Sequence, residues 1–130
     1  MKGLLLKDGL LTEVDLNNTL EQWYKLLNTD LVEIHSVEVK GEVVDVIMSE
    51  MPEEDAFTSV IDEDSYLSSR VTPLFRGNVL ITGLPDDEGK GTPLSENQVN
   101  ACKESLVWIA EKFDENMGYV RHHALMANYC

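Results

Sequence analysis

The chain has 130 residues, 43% hydrophobic and 26% charged, a composition that fits one globular domain with little surplus for a second core. Its 24 acidic side chains against 10 basic ones give a net charge of −14 at pH 7, a field that repels nucleic-acid phosphate and anionic lipid and attracts basic partners. No apolar run approaches the roughly 20 residues that cross a bilayer, and Leu4-Leu5-Leu6 is shorter than the ~7–15 apolar residues of a secretory signal, so a cytoplasmic protein is expected.

Residues 3–7 and 10–16 are apolar-rich runs joined by Asp8-Gly9, a dipeptide suited to the positive φ angles of a tight hairpin. Asn18-Thr19-Leu20-Glu21 then reads as a helix start, with Leu20, Trp23, Tyr24 and Leu27 on one face and an end near Asn28. From Leu31 the pattern alternates with a period of two and resumes after Gly41 at Val43, which predicts a second hairpin turning at Lys40-Gly41. Residues 49–75 lack a clean period, carry Pro52 and Pro73, and read as a surface excursion. Asn78-Val79-Leu80-Ile81-Thr82 is a short strand bracketed by Gly77 and Gly83, and Ser95-Glu96-Asn97-Gln98 matches a capping box. Val99, Cys102, Leu106, Ile109 and Phe113 recur at intervals of three and four, predicting one long amphipathic helix that ends near Gly118. Residues 119–130 are then a tail or a short helix. The expected fold is a single acidic α+β domain over residues 1–130: two β-hairpins flanking a short helix, one further strand, then a long C-terminal amphipathic helix.

Chemical motifs are sparse. Gly83 to Thr92 lies between a strand and a helix, as a phosphate-binding loop does. It has five residues rather than four before Gly89-Lys90, Gly91 where Ser or Thr should follow the lysine, and three acidic residues that would repel a triphosphate. His122, His123 and Cys130 are good zinc ligand types, but adjacent histidines point apart and no second cysteine pair completes a tetrahedron. Asp62-Glu63-Asp64-Ser65 lacks the glycine and the final glutamate of a calcium loop. His35 stands alone in a strand pattern, and Cys102 falls on the core stripe of the predicted helix. The two cysteines form no disulfide framework and suit a reducing compartment. No catalytic residue, cofactor or metal is therefore expected. Trp108 beside the stripe suggests a second apolar edge on the long helix, through which copies of the chain would associate.

The opening Met1-Lys2-Gly3-Leu4-Leu5-Leu6, the strand Glu13-Val14-Asp15-Leu16, the helix start Asn18 to Glu21, the strand Gly77 to Gly83 and the segment Leu94 to Val99 resemble a family of small uncharacterised domains. That family is carried by bacteriophages and mobile elements, chiefly of Gram-positive bacteria. The likeness spans most of residues 1–105, carries no catalytic motif, and departs from the family in the acidic 50–64 stretch and the longer tail. It implies a setting in which small acidic proteins inhibit host defence by placing carboxylates where a nucleic-acid-handling complex expects phosphate. The resulting expectation is a non-enzymatic anti-defence protein, anti-CRISPR-like and a DNA mimic. It would bind a basic host protein or ribonucleoprotein complex through Glu50, Glu53, Glu54, Asp55, Asp62, Glu63, Asp64, Asp86, Asp87 and Glu88, with no direct nucleic-acid or membrane binding. The alternatives are an oligomeric sponge that sequesters a small nucleotide signal, and a structural or assembly protein without a ligand.

Overall fold

Asp8-Gly9 and Lys40-Gly41 each place both residues at positive φ, 50° and 79° in the first pair and 48° and 81° in the second. This turn has the twist of the strands it joins. In the computed structural model of the protein, which describes residues 1–53, 55–112, 116 and 118–130, these turns close β1 (Lys2–Lys7) onto β2 (Leu10–Asp15) and β3 (Val32–Val39) onto β4 (Glu42–Ser49). Between the hairpins lies α1 (Leu20–Leu27), where the Thr19 side chain accepts the Gln22 N–H and Asn28 ends the helix in a left-handed conformation.

The remainder of the chain corrects the expected α+β class. Residues 49–75 are not a surface excursion: they hold β5 (Thr58–Asp62), α2 (Glu63–Leu67) and β6 (Pro73–Arg76), and Thr58 through Ile61 are all buried. After β7 (Val79–Thr82), the capping box of Ser95 and Gln98 opens α3 (Glu96–Glu104), but the helix stops at Ser105. No long C-terminal helix forms among the described residues. Leu106 to Glu111 is β8, and residues 120–129 form the long strand β9 (Val120–Tyr129) rather than a tail or a short helix. The physical reason is part local and part tertiary. Leu106-Val107-Trp108-Ile109 is branched and aromatic, which favours a pleated surface, and β9 supplies a partner in full register from Leu106↔Leu125 to Glu111↔Val120. The helical spacing of three is genuine for Val99 and Cys102. Phe113, placed on the same stripe, lies outside the described residues. The association edge assigned to a long helix is lost with it, because Trp108 stands on β8.

Among the described residues the protein is mostly β, with nine strands and three short helices, in the order β2-β1-β7-β4-β3-β9-β5-β6 with β8 also on β9. β7 inserts between the two hairpins, pairing Ile81 with Leu4 and with Val46. β9 joins the two halves, since its end pairs with β3 (Glu38↔Asn128) and its middle runs parallel to β5 (Ile61↔Met126). The sheet folds over one central cluster that includes Leu4, Leu6, Val46, Val60, Ile81, Cys102 and Leu125, with α3 packed at its rim. On the outer faces, α1 covers Leu5, Leu16, Ile47 and Leu80, while α2 brings Tyr66 onto Ile61, Ile109 and Ala124. No helix among the described residues is long and apolar enough to cross a membrane.

Candidate functional site

Nine of the ten acidic residues nominated from the sequence are described, and they occupy three separate places. Glu50, Glu53 and Asp55 lie exposed between β4 and β5; Glu54 lies outside the described residues. Asp62, Glu63 and Asp64 stand at the opposite end of β5, on α2. There Asp62 caps the helix by accepting the Ser65 N–H, and Glu63 accepts from Asn128 at 2.8 Å. Asp86, Asp87 and Glu88 occupy the loop after β7, the far end of that strand from Asn78. One continuous acidic face does not result.

A cleft does form around the first group. Its volume is about 380 Å³, and Asp8, Glu53 and Asp55 stand among its walls with Leu27, Met51, Pro52, Phe57 and Asn78. Each wall has a local cause. The β1–β2 turn brings in Asp8, whose backbone N–H donates to the Asn78 side chain at 3.2 Å. Leu27 and Asn28 arrive at the end of α1. Ala56 N–H donates to the Glu53 carbonyl at 3.0 Å, and Gly77 N–H donates to the Phe57 carbonyl at 2.7 Å. Gly77 adopts a φ of +84° and passes close to Pro52. The result is a mainly polar cleft with three carboxylates and a few apolar side chains among its walls. A larger hollow of about 650 Å³ beside α1, from Glu21 to Asp30, is more open and already contains a Lys25–Glu21 pair at 3.9 Å. It gives less enclosure to a ligand.

Behind Phe57 lies a buried acid–base pair that the sequence did not single out. His122 Nε2 is 2.8 Å from Glu111 Oε1, with the two side chains 4% and 16% exposed. The same carboxylate oxygen accepts the Thr58 N–H at 2.7 Å, and His122 Nδ1 is 3.0 Å from the His123 carbonyl. The Phe57 ring stands edge-on to the imidazole with centroids 4.8 Å apart. His123 points to the other side of β9, where its ring lies 3.9 Å from that of Trp108, with the Arg121 guanidinium 5.7 Å from the Trp108 ring centre.

These positions limit the chemistry of the nominated groups. Both ring nitrogens of His122 are engaged, so it has no free nitrogen with which to take a proton from a substrate. Cys102 is fully buried and its thiol is pushed up to about 11 by desolvation, which leaves little thiolate at neutral pH. His35 packs its ring on Phe75 at 5.1 Å. Among the described residues no three His, Cys, Asp or Glu side chains gather as metal ligands. In the loop that resembles a phosphate cradle, Asp86 Oδ1 already accepts the N–H groups of Glu88 and Lys90, at 2.9 and 3.0 Å, the donors an incoming phosphate would need.

Glu53 and Asp55 were accessible to sequence reasoning because they are charged and lie outside periodic segments. Asp8, Leu27, Phe57 and Asn78 were not, since a turn, a helix end, a strand start and a loop supply them from four distant parts of the chain. No protein-family model matches the chain, and no curated protein or solved structure matches it.

Proposed function

We propose that the protein is a non-enzymatic binding domain whose cleft receives a cationic side chain with an aliphatic stem, arginine or lysine, from a basic protein surface. The observation that carries this reading is the single cleft that joins Asp8, Glu53 and Asp55 to Leu27, Met51, Pro52 and Phe57. Arginine and lysine bury their methylene stems against apolar groups while the charged head meets carboxylates. The net charge of −14 adds long-range attraction to a basic partner. In the phage or mobile-element setting suggested by the sequence resemblance, such a partner is a nucleic-acid-targeting complex whose phosphate-binding surface the carboxylates occupy, and the protein is its inhibitor. The acidic groups on α2 and in the 86–88 loop contribute to the field rather than to the contact.

The test is a titration of isotope-labelled protein with an arginine-rich peptide. Amide shifts are expected to concentrate at Asp8, Glu53, Asp55 and Phe57. Replacing Glu53 and Asp55 together by lysine should weaken binding by about tenfold or more, because two exposed attractions of up to ~1 kcal/mol each become repulsions. The same double change at Asp86 and Asp87 should weaken it by less than about threefold, a screened long-range effect. Equal weakening by both pairs would leave only a diffuse electrostatic attraction and overturn the cleft as the contact.

A further inference from the structure

We infer that β8 is a dimerisation edge, which pairs antiparallel with β8 of a second copy of the chain about a two-fold axis at Trp108. Met126 N–H donates to the Ser105 carbonyl at 2.9 Å, so these two residues form a hydrogen-bonded pair, and the register from Leu106↔Leu125 to Glu111↔Val120 fixes the alternation beyond it. Val107, Ile109 and Glu111 turn their backbone groups towards β9, while Leu106, Trp108 and Ala110 turn theirs away. The 3.9 Å separation of the Trp108 and His123 rings agrees, because side chains lie closer in non-bonded pairs. Among the described residues β8 pairs with β9 alone, and no group bonds the outward N–H or carbonyl of Leu106, Trp108 or Ala110.

Free strand edges are ordinarily guarded, since they template pairing with another chain. The strands at the two ends of the sheet follow that rule: β2 carries Glu13 and Asp15, and β6 is short, begins at Pro73, ends at Arg76 and pairs irregularly with β5. β8 has no such guard. Leu106-Val107-Trp108-Ile109-Ala110 contains neither charge nor proline in a chain that is 26% charged, and Trp108 is 56% exposed. A second copy is the occupant because the edge complements itself. Setting Trp108 against Trp108 of the second copy, and Leu106 against its Ala110, gives every outward N–H a carbonyl, whereas a shifted antiparallel register leaves an end residue unpaired. On one face the rings of His123 and Trp108 then continue into those of the second copy, an aromatic row without a carboxylate. Exposed Glu104 and Lys112 lie equally far before and after Trp108, so the two-fold brings each towards the opposite charge of the other copy, while parallel pairing would bring like to like. The basic partner proposed for the cleft fits this edge less well, because the Arg121 guanidinium already stands over Trp108.

Sedimentation equilibrium of the full chain from about 1 μM to about 1 mM tests this. A monomer–dimer equilibrium is expected, and it should tighten as salt rises because copies with a net charge of −14 repel. Ala110→Pro removes an outward N–H and none that β9 uses, so it should keep the native amide spectrum and weaken dimerisation by about tenfold or more, the two-fold doubling the loss. Trp108→Lys, which sets two like charges at the axis from an exposed position, should do the same. Leu10→Lys, at an exposed leucine on the β2 edge, should leave the equilibrium unchanged. Amide hydrogen exchange reads the register: Leu106, Trp108 and Ala110 should gain protection with concentration, while Val107 and Ile109 are protected throughout. A chain that stays monomeric up to about 1 mM overturns the inference and leaves the edge to a strand of another protein. A dimer that neither Ala110→Pro nor Trp108→Lys weakens, or that Leu10→Lys weakens equally, places the contact elsewhere and overturns it as well.

Discussion

A Cβ atom at Gly9 would lie 2.6 Å from the Cβ of His122, and the residue holds a φ of +79°, whereas at Gly41, with a φ of +81°, it would meet nothing within 4 Å. The two hairpin glycines thus separate two costs. Gly41→Ala carries only the left-handed strain of an L-residue, about 1 kcal/mol, while Gly9→Ala adds a collision with a strand backbone and should cost about 2–4 kcal/mol. Urea unfolding of both variants checks this, and equal losses would mean that β9 yields to the turn. Sequence reading locates both glycines, because turn chemistry is local. It cannot distinguish them, because the collision joins residues 9 and 122. The cysteines follow the same logic. Cys102 is fully buried and its thiol is raised to about 11, while Cys130 is exposed. A thiol reagent at about pH 8 should modify Cys130 alone in the native protein and both cysteines after denaturation, read by mass.

Elements stabilised by their own sequence are the ones that can be read from it. Each hairpin has a two-residue turn between its strands, and α1 and α3 carry their caps within three residues. Ser95 accepts the Gln98 N–H while its own N–H donates to the Gln98 side chain, whose amide nitrogen also reaches the Val43 carbonyl at 3.0 Å. Ser95→Ala should therefore cost about 1 kcal/mol, and Gln98→Ala somewhat more because it also strips the Val43 carbonyl of a donor; chemical denaturation ranks the two. β5 and β9 are different. Their parallel pairing brings residue 61 to residue 126, a partner no local pattern announces. At β8, Leu106 and Ile109 satisfy a helical spacing and a buried strand alike, and only the register with β9 decides. The cleft inherits this difficulty, since Glu53 and Asp55 were visible but its other walls depend on where α1 ends and β5 begins.

At the scale of the molecule, 24 acidic groups against 10 basic ones set two effects of opposite sign in motion. Self-repulsion is stronger in the folded state than in the expanded chain, so it opposes folding, whereas attraction to a basic partner grows with the same charge. Cross-element ion pairs such as Lys103–Glu13 at 3.3 Å and Lys40–Glu104 at 3.5 Å work against the repulsion, but all four side chains are about half exposed, and such pairs each contribute ~1 kcal/mol or less. The excess of carboxylates outweighs them. Raising monovalent salt from about 0.01 to 0.15 M shortens the screening length from roughly 30 to 8 Å, which removes repulsion between distant carboxylates first. The melting temperature should rise by roughly 4 °C, the equivalent of about 1 kcal/mol for a domain of this size. Over the same series the arginine-rich peptide should bind more weakly. A melting temperature that falls with salt would show that specific ion pairs, rather than net charge, dominate the electrostatics of this fold. Peptide binding that does not change with salt would place the recognition in the apolar side chains of Leu27, Met51 and Phe57 instead of in the carboxylates.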